Sequence, residues 1–311
     1  MLTAILFLLA GVALAWFGGS LFVDGAVGLA KWLRWPEAVI GVTVAAFGTS
    51  TPELLVAIRA ALDGVPQISL GDVLGSNVVN IALVLAPVLA LSIIKAEDQG
   101  VRRDWACALA VPFIMAAVLW DGWFSRLDAL VLLAIFSVWL ALVIRQAQCH
   151  RARHSAEIID ATRATWIKAA VSTLVGLGIL IAAAQFVVVG GIGIARLLGW
   201  SPFIVGAVVV AVATGTPELA TTIVARIRGH HEIGLGNILG SNVFNVLLIA
   251  AVAALIHPYR VNFSELLPTL VFGVITTLMI LPGRDGVLGR WRGIALLAMY
   301  VAYLVANLEK A

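Results

Sequence analysis

The sequence predicts an all-α integral membrane protein of ten transmembrane helices, arranged as two inverted five-helix repeats. Three observations carry that expectation. Of the 311 residues 62% are apolar and only 12% charged, with a mean hydropathy of +1.06, whereas soluble domains average roughly one half and one quarter. Apolar runs close to the roughly 20 residues needed to cross a bilayer recur along the chain. The stretch from 47 to 80 also reappears 165 positions later without a gap.

The apolar runs place spans at about 3–29, 37–62, 67–93, 105–121, 126–146, 167–197, 202–227, 233–256, 265–282 and 291–308. A β-barrel is disfavoured because its strands alternate apolar and polar residues in short segments, and these runs are continuous. With no basic start before its apolar run, the N-terminus reads as the first span and not as a signal peptide. No stretch is long enough for a separate soluble domain, so the chain divides into a first half, 1–148, a cytoplasmic linker, 149–165, and a second half, 166–311.

Basic residues orient the chain. Arg59, Arg126, Arg196, Arg260 and Lys310 fall with the termini and the even-numbered connections, and the other 15 of 20 fall on the opposite side. The positive-inside rule makes that richer side the cytoplasm and puts both termini outside. Trp32, Trp35, Trp105, Trp120, Trp123, Trp166, Trp200 and Trp291 sit at span ends, as interfacial anchors do. Since the net charge of +3 is largely this orientation signal, it does not imply nucleic-acid binding. The longest polar interruption, RQAQCHRARHSAEIIDATRATWIK at 145–168, reads as the linker, and its CHRARH, like RGHHE at 228–232, reads as a solvated charge run. Cys107 lies in a span and Cys149 in the linker, so no disulfide framework is expected.

The internal repeat identifies the polar residues that matter. FGTSTPELLVAIRAALDGVPQISLGDVLGSNVVN aligns with VATGTPELATTIVARIRGHHEIGLGNILGSNVFN, so that Thr49, Thr51, Pro52, Glu53, Gly64 and Asn80 meet Thr214, Thr216, Pro217, Glu218, Gly229 and Asn245. LGSN at 74–77 meets LGSN at 239–242, and the match extends back to Trp35 and Gly41 over Trp200 and Gly206, giving motif regions of 36–91 and 201–256. Five spans per half is an odd number, so the halves enter the membrane in opposite senses. Inverted repeats with interrupted helices are the plan of secondary transporters, whose sites lie near the midplane. The interruptions are expected at Pro52 and Pro217, which lack an amide hydrogen, with Gly48 and Gly215 loosening the backbone before them. Carbonyls freed there must bond protein, a cavity or an ion.

Carboxylate, amide, hydroxyl and backbone carbonyl are hard oxygen donors. That set suits Ca²⁺ with its six to eight oxygens, and the absence of thiolate or imidazole from the PE and GSN motifs argues against zinc or copper. Ser76 and Asn80 share a helix face, as do Ser241 and Asn245. An ionised glutamate at the bilayer centre is costly, and one divalent cation would balance Glu53 and Glu218 together. The same oxygens admit Na⁺, and the glutamates admit protons. The competing structural reading is that hydroxyls and amides merely bridge helices. A hydrolase is disfavoured, because Ser50 near Glu53 has no His or Asp to complete a relay; a channel would need no inverted pair of closed sites.

These motifs, GTSTPEL with GDVLGSNVVN and ATGTPEL with GNILGSNVFN, resemble the two α-repeats of the cation/Ca²⁺ exchanger superfamily, most closely its prokaryotic sodium/calcium antiporters, and the resemblance covers essentially the whole chain. It implies that Glu53 and Glu218 are the principal Ca²⁺ ligands, with the carbonyls of Thr49 and Thr214 completing the central site. It further implies that Ser50, Ser76 and Ser241, with the carbonyls of Ala46 and Ala211, form flanking Na⁺ sites, and that Asn80 and Asn245 line the centre. The family slides its first and sixth spans across the rest, and here these carry Gly18, Gly19, Gly25, Gly190 and Gly191. Three departures stand out. Gly215 replaces the usual serine, Asp72 stands where Asn or Thr is common and reads as an extra ligand or, favoured by its place near the helix start, as an entrance charge, and Asn at both 80 and 245 argues against K⁺ dependence.

The expectation is a transporter and not an enzyme: an antiporter of the plasma (inner) membrane that exports Ca²⁺ against Na⁺ influx by alternating access. A Ca²⁺/H⁺ antiporter using the same glutamates is the alternative. No cofactor and no obligate protein partner is expected beyond the lipid bilayer and the transported Ca²⁺ and Na⁺ (or H⁺).

Overall fold

The computed structural model describes residues 2–91, 93–95, 99–153, 163–197, 201–281 and 286–309. Trp200, Lys310 and residues 154–162 of the expected linker lie outside the described residues. The described chain is helical almost throughout: α1 (Leu2–Leu33), α2 (Glu37–Thr49 and Thr51–Leu62), α3 (Pro66–Leu91), α4 (Gln99–Val118), α5 (Arg126–Arg153), α6 (Arg163–Leu197), α7 (Pro202–Ile227), α8 (His231–Ile256), α9 (Phe263–Met279) and α10 (Arg290–Leu308).

Among the described residues seven of these helices are long and apolar enough to cross a membrane, or eight if the two pieces of α2 make one bent span. That is fewer than the ten expected, because α4 carries charge in its first turns and α9 has only 17 residues. The expected linker also narrows. α5 runs on to Arg153 and α6 begins at Arg163, since the Gln, Ala and Arg that follow the apolar stretch of α5 are good helix formers.

Proline sets several helix starts, at Pro66 of α3, Pro202 of α7 and Pro52 of the second piece of α2, where a missing N–H costs nothing. Gly64 and Gly229, with φ of 75° and 84°, make the tight turns that join α2 to α3 and α7 to α8, a left-handed conformation that glycine adopts without strain.

α3 and α8 are the most buried helices. α5, α6 and α10 turn apolar side chains such as Leu130, Val138, Leu174, Ile294 and Val301 outward, the surface a lipid phase covers. α1 packs along α6, the first piece of α2 against α8, and the first half of α7 against α3. The last two contacts are nearly backbone to backbone. A Cβ on Gly75 would stand 2.5 Å from Ala207 O, and one on Gly240 would stand 2.6 Å from Val42 O. Gly71 and Gly206 in one contact, and Gly236 and Gly41 in the other, meet backbone in the same way. Each pair in one contact maps onto the other by the 165-residue offset of the sequence repeat.

Two short antiparallel ribbons close the ends of the bundle. β1 (Ile94–Lys95) pairs with β4 (Val287–Leu288), and β2 (Trp123–Phe124) pairs with β3 (Tyr259–Arg260). α4 therefore runs from the first ribbon to the second, and α9 runs back from the second to the first. Trp120, Trp123 and Trp291 are exposed, and Trp32 packs on Trp166 at 5.7 Å where α1 meets α6.

The tight glycine contacts generate a prediction. Gly75→Leu is expected to lower the thermal midpoint of the detergent-solubilised protein by the equivalent of about 1–3 kcal/mol or to block assembly. Gly178→Ala, at a position with nothing within 4 Å, leaves it unchanged or raised in the same melting experiment.

Candidate functional site

The repeated motifs converge where α2, α3, α7 and α8 meet. α2 breaks there: its two pieces are bent by 41° on either side of Ser50, just before Pro52. α7 breaks at Gly215, just before Pro217. Neither glycine supplies the conformational freedom expected of it. Gly48 is helical and Gly215 has a φ of −70°. What Gly48 provides is room, since a Cβ on it would lie 3.3 Å from the ring of Phe22 on α1.

Four π-helical segments flank the breaks, Gly41–Ala45 and Val205–Val210 before them, and Asn80–Leu85 and Asn245–Ala250 on α3 and α8. Such turns widen a helix and recur at functional sites. No motif in the sequence signals them.

The residues expected to bind ions are buried. Glu53, Glu218, Thr49, Thr214, Ser76, Ser241, Asn80, Asn245, Ala46 and Ala211 are 0% exposed and Ser50 2%. Hydrogen bonds bring several together. Glu218 Oε1 accepts from the hydroxyls of Ser50 and Ser241, each at 3.3 Å. Thr49 Oγ1 donates to Asn237 Oδ1 at 2.9 Å, and its equivalent Thr214 Oγ1 donates to Asp72 Oδ1 at 3.0 Å. The carbonyls of Ala46 and Ala211 each accept one backbone N–H, from Ser50 at 3.0 Å and from Gly215 at 3.1 Å, and each keeps a second lone pair.

Asp72 is not an entrance charge. α3 starts at Pro66, within a residue of the expected 67, but its first turns pack against α7, so that Asp72 is fully buried, accepting from Thr214 and from Ser76 Oγ at 3.4 Å. Asn77 and Asn242, which the sequence reading did not single out, form the clasp at the centre. Asn77 Nδ2 donates to Asn242 O at 3.0 Å and Asn242 Nδ2 to Asn77 O at 3.2 Å. Asn80 Nδ2 donates to Asn242 Oδ1 at 3.0 Å and Asn245 Nδ2 to Asn77 Oδ1 at 3.1 Å. Their signal was present in the duplicated LGSN, of which only the serine had been given a role.

Among the described residues six buried carboxylate and amide oxygens have no partner: Glu53 Oε1 and Oε2, Glu218 Oε2, Asp72 Oδ2, Asn80 Oδ1 and Asn245 Oδ1. All are hard acceptors, and a buried carboxylate without a counter-charge is strongly disfavoured. A hard cation is the ligand such a set fits. Among the described residues no group of three or more His, Cys, Asp or Glu is placed to hold a metal ion, so a cation here would need the amide and hydroxyl oxygens as well.

A multi-pass helical membrane protein whose centre offers unpartnered oxygens to cations has the character of an ion transporter. The sodium/calcium exchanger protein family matches residues 3–145 and 168–308, and the chain belongs to that family. It is a transporter and not an enzyme. Inner membrane protein YrbG of Escherichia coli K12 is 30% identical over 84% of this chain and 82% of its own length. Sodium/calcium exchanger MaX1 of Methanosarcina acetivorans is 28% identical over 96% and 97%. The solved structure of the sodium-calcium exchanger NCX_Mj soaked with Na⁺ and Sr²⁺ superimposes with a TM-score of 0.80, at 29% identity over 98% of both chains.

The clasp predicts that Asn77→Ala, which strips Asn245 Nδ2 and Asn242 O of their partners, lowers stability by about 1–3 kcal/mol. Thermal unfolding of the purified variant beside wild type measures the difference.

Proposed function

We propose that this chain is a secondary active antiporter that exports Ca²⁺ from the cytoplasm in exchange for Na⁺ entering down its gradient, with Glu53 and Glu218 as the principal ligands. The observation that carries the reading is the set of unpartnered buried oxygens around two repeat-related glutamates. The carbonyls of Thr49 and Thr214 complete the central site, and Asn80 and Asn245 line it. Ser50, Ser76 and Ser241, with the carbonyls of Ala46 and Ala211, hold Na⁺ at its flanks. Ca²⁺ and the Na⁺ exchanged for it compete for the centre between the two carboxylates, and that exclusion couples the opposing fluxes.

The ten-span, inverted arrangement of 1–148 and 166–311 draws support from three features. The repeat-related helices α1 and α6 lie side by side and antiparallel, with Gly18 beside Ile179 and Gly28 beside Ala169. The contacts of Asn77 and Asn80 with α8 are reciprocated by Asn242 and Asn245 with α3, as a two-fold relation requires. The two ribbons, finally, make α4 and α9 traverse the bundle between them, which adds two spans to those apolar enough by composition.

For alternating access the mobile unit is the α1 and α6 pair. Its mutual contact is close, with Gly176 against the backbone of Phe22 and Ser172 Oγ donating to Leu21 O at 2.7 Å. Against α2 and α7 it presents smooth apolar surface, Phe22 and Leu177 beside Gly48 and Gly19 beside Ala220. Small residues at such a seam permit sliding. At one end Arg228, in the α7–α8 turn, pairs with Asp24 and bonds Ser20 O on α1, a latch whose release must accompany movement. The protein resides in the plasma (inner) membrane with both termini on the non-cytoplasmic side.

In liposomes loaded with Ca²⁺, an imposed Na⁺ gradient is expected to drive Ca²⁺ across the bilayer, and Glu53→Gln or Glu218→Gln to reduce that flux at least about 100-fold, since each removes a charged ligand from a low-dielectric site. Flux that responds only to a pH gradient in Na⁺-free buffer would replace this reading with proton exchange. Orientation has its own check. Cys149 is exposed near the end of α5, so in a Cys107→Ala background a membrane-impermeant thiol reagent labels it in inside-out vesicles and not in intact cells.

A further inference from the structure

The halves of the site are chemically unequal, and the inequality is concentrated around Glu53. At Glu218, one carboxylate oxygen is held by the hydroxyls of Ser50 and Ser241. The repeat equivalents of those serines are Gly215, which has no hydroxyl, and Ser76, whose hydroxyl is turned to Asp72. Both oxygens of Glu53 are left unpartnered. Opposite Thr49 stands the neutral Asn237, whose Nδ2 is an unpartnered donor; opposite Thr214 stands Asp72, whose Oδ2 is an unpartnered acceptor. Asp72 is fully buried, and Thr214, which donates to it, lies on the stretch of α7 that packs against both α3 and the second piece of α2, where Glu53 sits.

A formal charge count follows. Glu53, Glu218 and Asp72 bring three negative charges into one water-excluded region, and a single divalent cation neutralises two. The ion pairs at Arg59–Asp63, Arg103–Asp104, Arg228–Asp24 and His230–Glu37 involve none of the three. A residual buried charge is costly, and one monovalent cation removes it. Equally, three monovalent cations neutralise all three carboxylates once the divalent ion has gone.

We propose that Asp72 and Glu53 form a monovalent-cation subsite confined to the first half of the site, which stays occupied by Na⁺ while Ca²⁺ fills the centre. The unpartnered Oδ2 of Asp72 brings a charged oxygen to the half of the site in which Gly215 brings no hydroxyl. The identity of the two ions rests on the antiport reading above, but the subsite has a signature of its own: at low concentration Na⁺ assists Ca²⁺ binding, and at high concentration it competes.

The test is equilibrium binding of radioactive Ca²⁺ to the purified full-length protein in choline medium as Na⁺ is titrated in. In wild type the apparent Ca²⁺ affinity is expected to rise roughly fivefold or more at low Na⁺ before it falls, a coupling typical of two linked sites. In Asp72→Asn, which keeps an oxygen acceptor for Thr214 and Ser76, the affinity falls from the first addition of Na⁺. A wild-type curve that declines from the start overturns the subsite and leaves antiport standing, as does an enhancing phase that survives in Asp72→Asn. Ca²⁺ binding indifferent to Na⁺ at every concentration overturns both.

Discussion

Everything about this molecule turns on keeping carboxylates out of water. Glu53, Glu218 and Asp72 are fully buried, and in a low-dielectric interior an uncompensated charge costs several kcal/mol at least. The bundle must therefore present other oxygens beside them, hold those oxygens still, and admit a cation. The helix breaks at Ser50 and Gly215, the π-turns that begin at Asn80 and Asn245, and the asparagine clasp between α3 and α8 all serve that requirement.

Stillness is achieved by removing side chains as much as by adding them. Where α3 meets α7 and α8 meets α2, glycines bring backbone against backbone, so that a side chain at these positions would force the four helices of the site apart. Asn77 and Asn242 then satisfy each other's carbonyls across the centre. The contrast with α1 and α6 is instructive. Those two helices are glycine-tight toward each other, but toward the site they offer aromatic and aliphatic faces, with Phe22 and Leu177 beside Gly48.

Much of this was legible in the sequence. The doubled PE and GSN motifs singled out both glutamates and the hydroxyls that the structure buries beside them, because the repeat excludes coincidence. What stayed hidden depends on depth and on tertiary pairing. Asp72 looked like a charge near a helix start, but the turn that carries it packs against α7 and is buried. Gly48 looked like a hinge but is a gap left for Phe22. Asn77 and Asn242 were in plain view, yet a clasp between residues 165 apart has no local signature, and neither do the π-turns. Composition also undercounted the helices that run the length of the bundle, since charge in α4 and shortness in α9 mask what the two ribbons require of them.

The unequal dressing of the two glutamates has a thermodynamic side. Under the alternating access proposed above, perfect likeness of the two halves would make the state open to one side the mirror of the state open to the other, and the empty carrier would rest in both equally. Two hydroxyls on Glu218 and none on Glu53 remove that degeneracy. Differences of a few kcal/mol decide which of two conformations is populated. On that reading, the places where one half departs from the other write a resting preference into the chain, present before any ion or gradient acts on it.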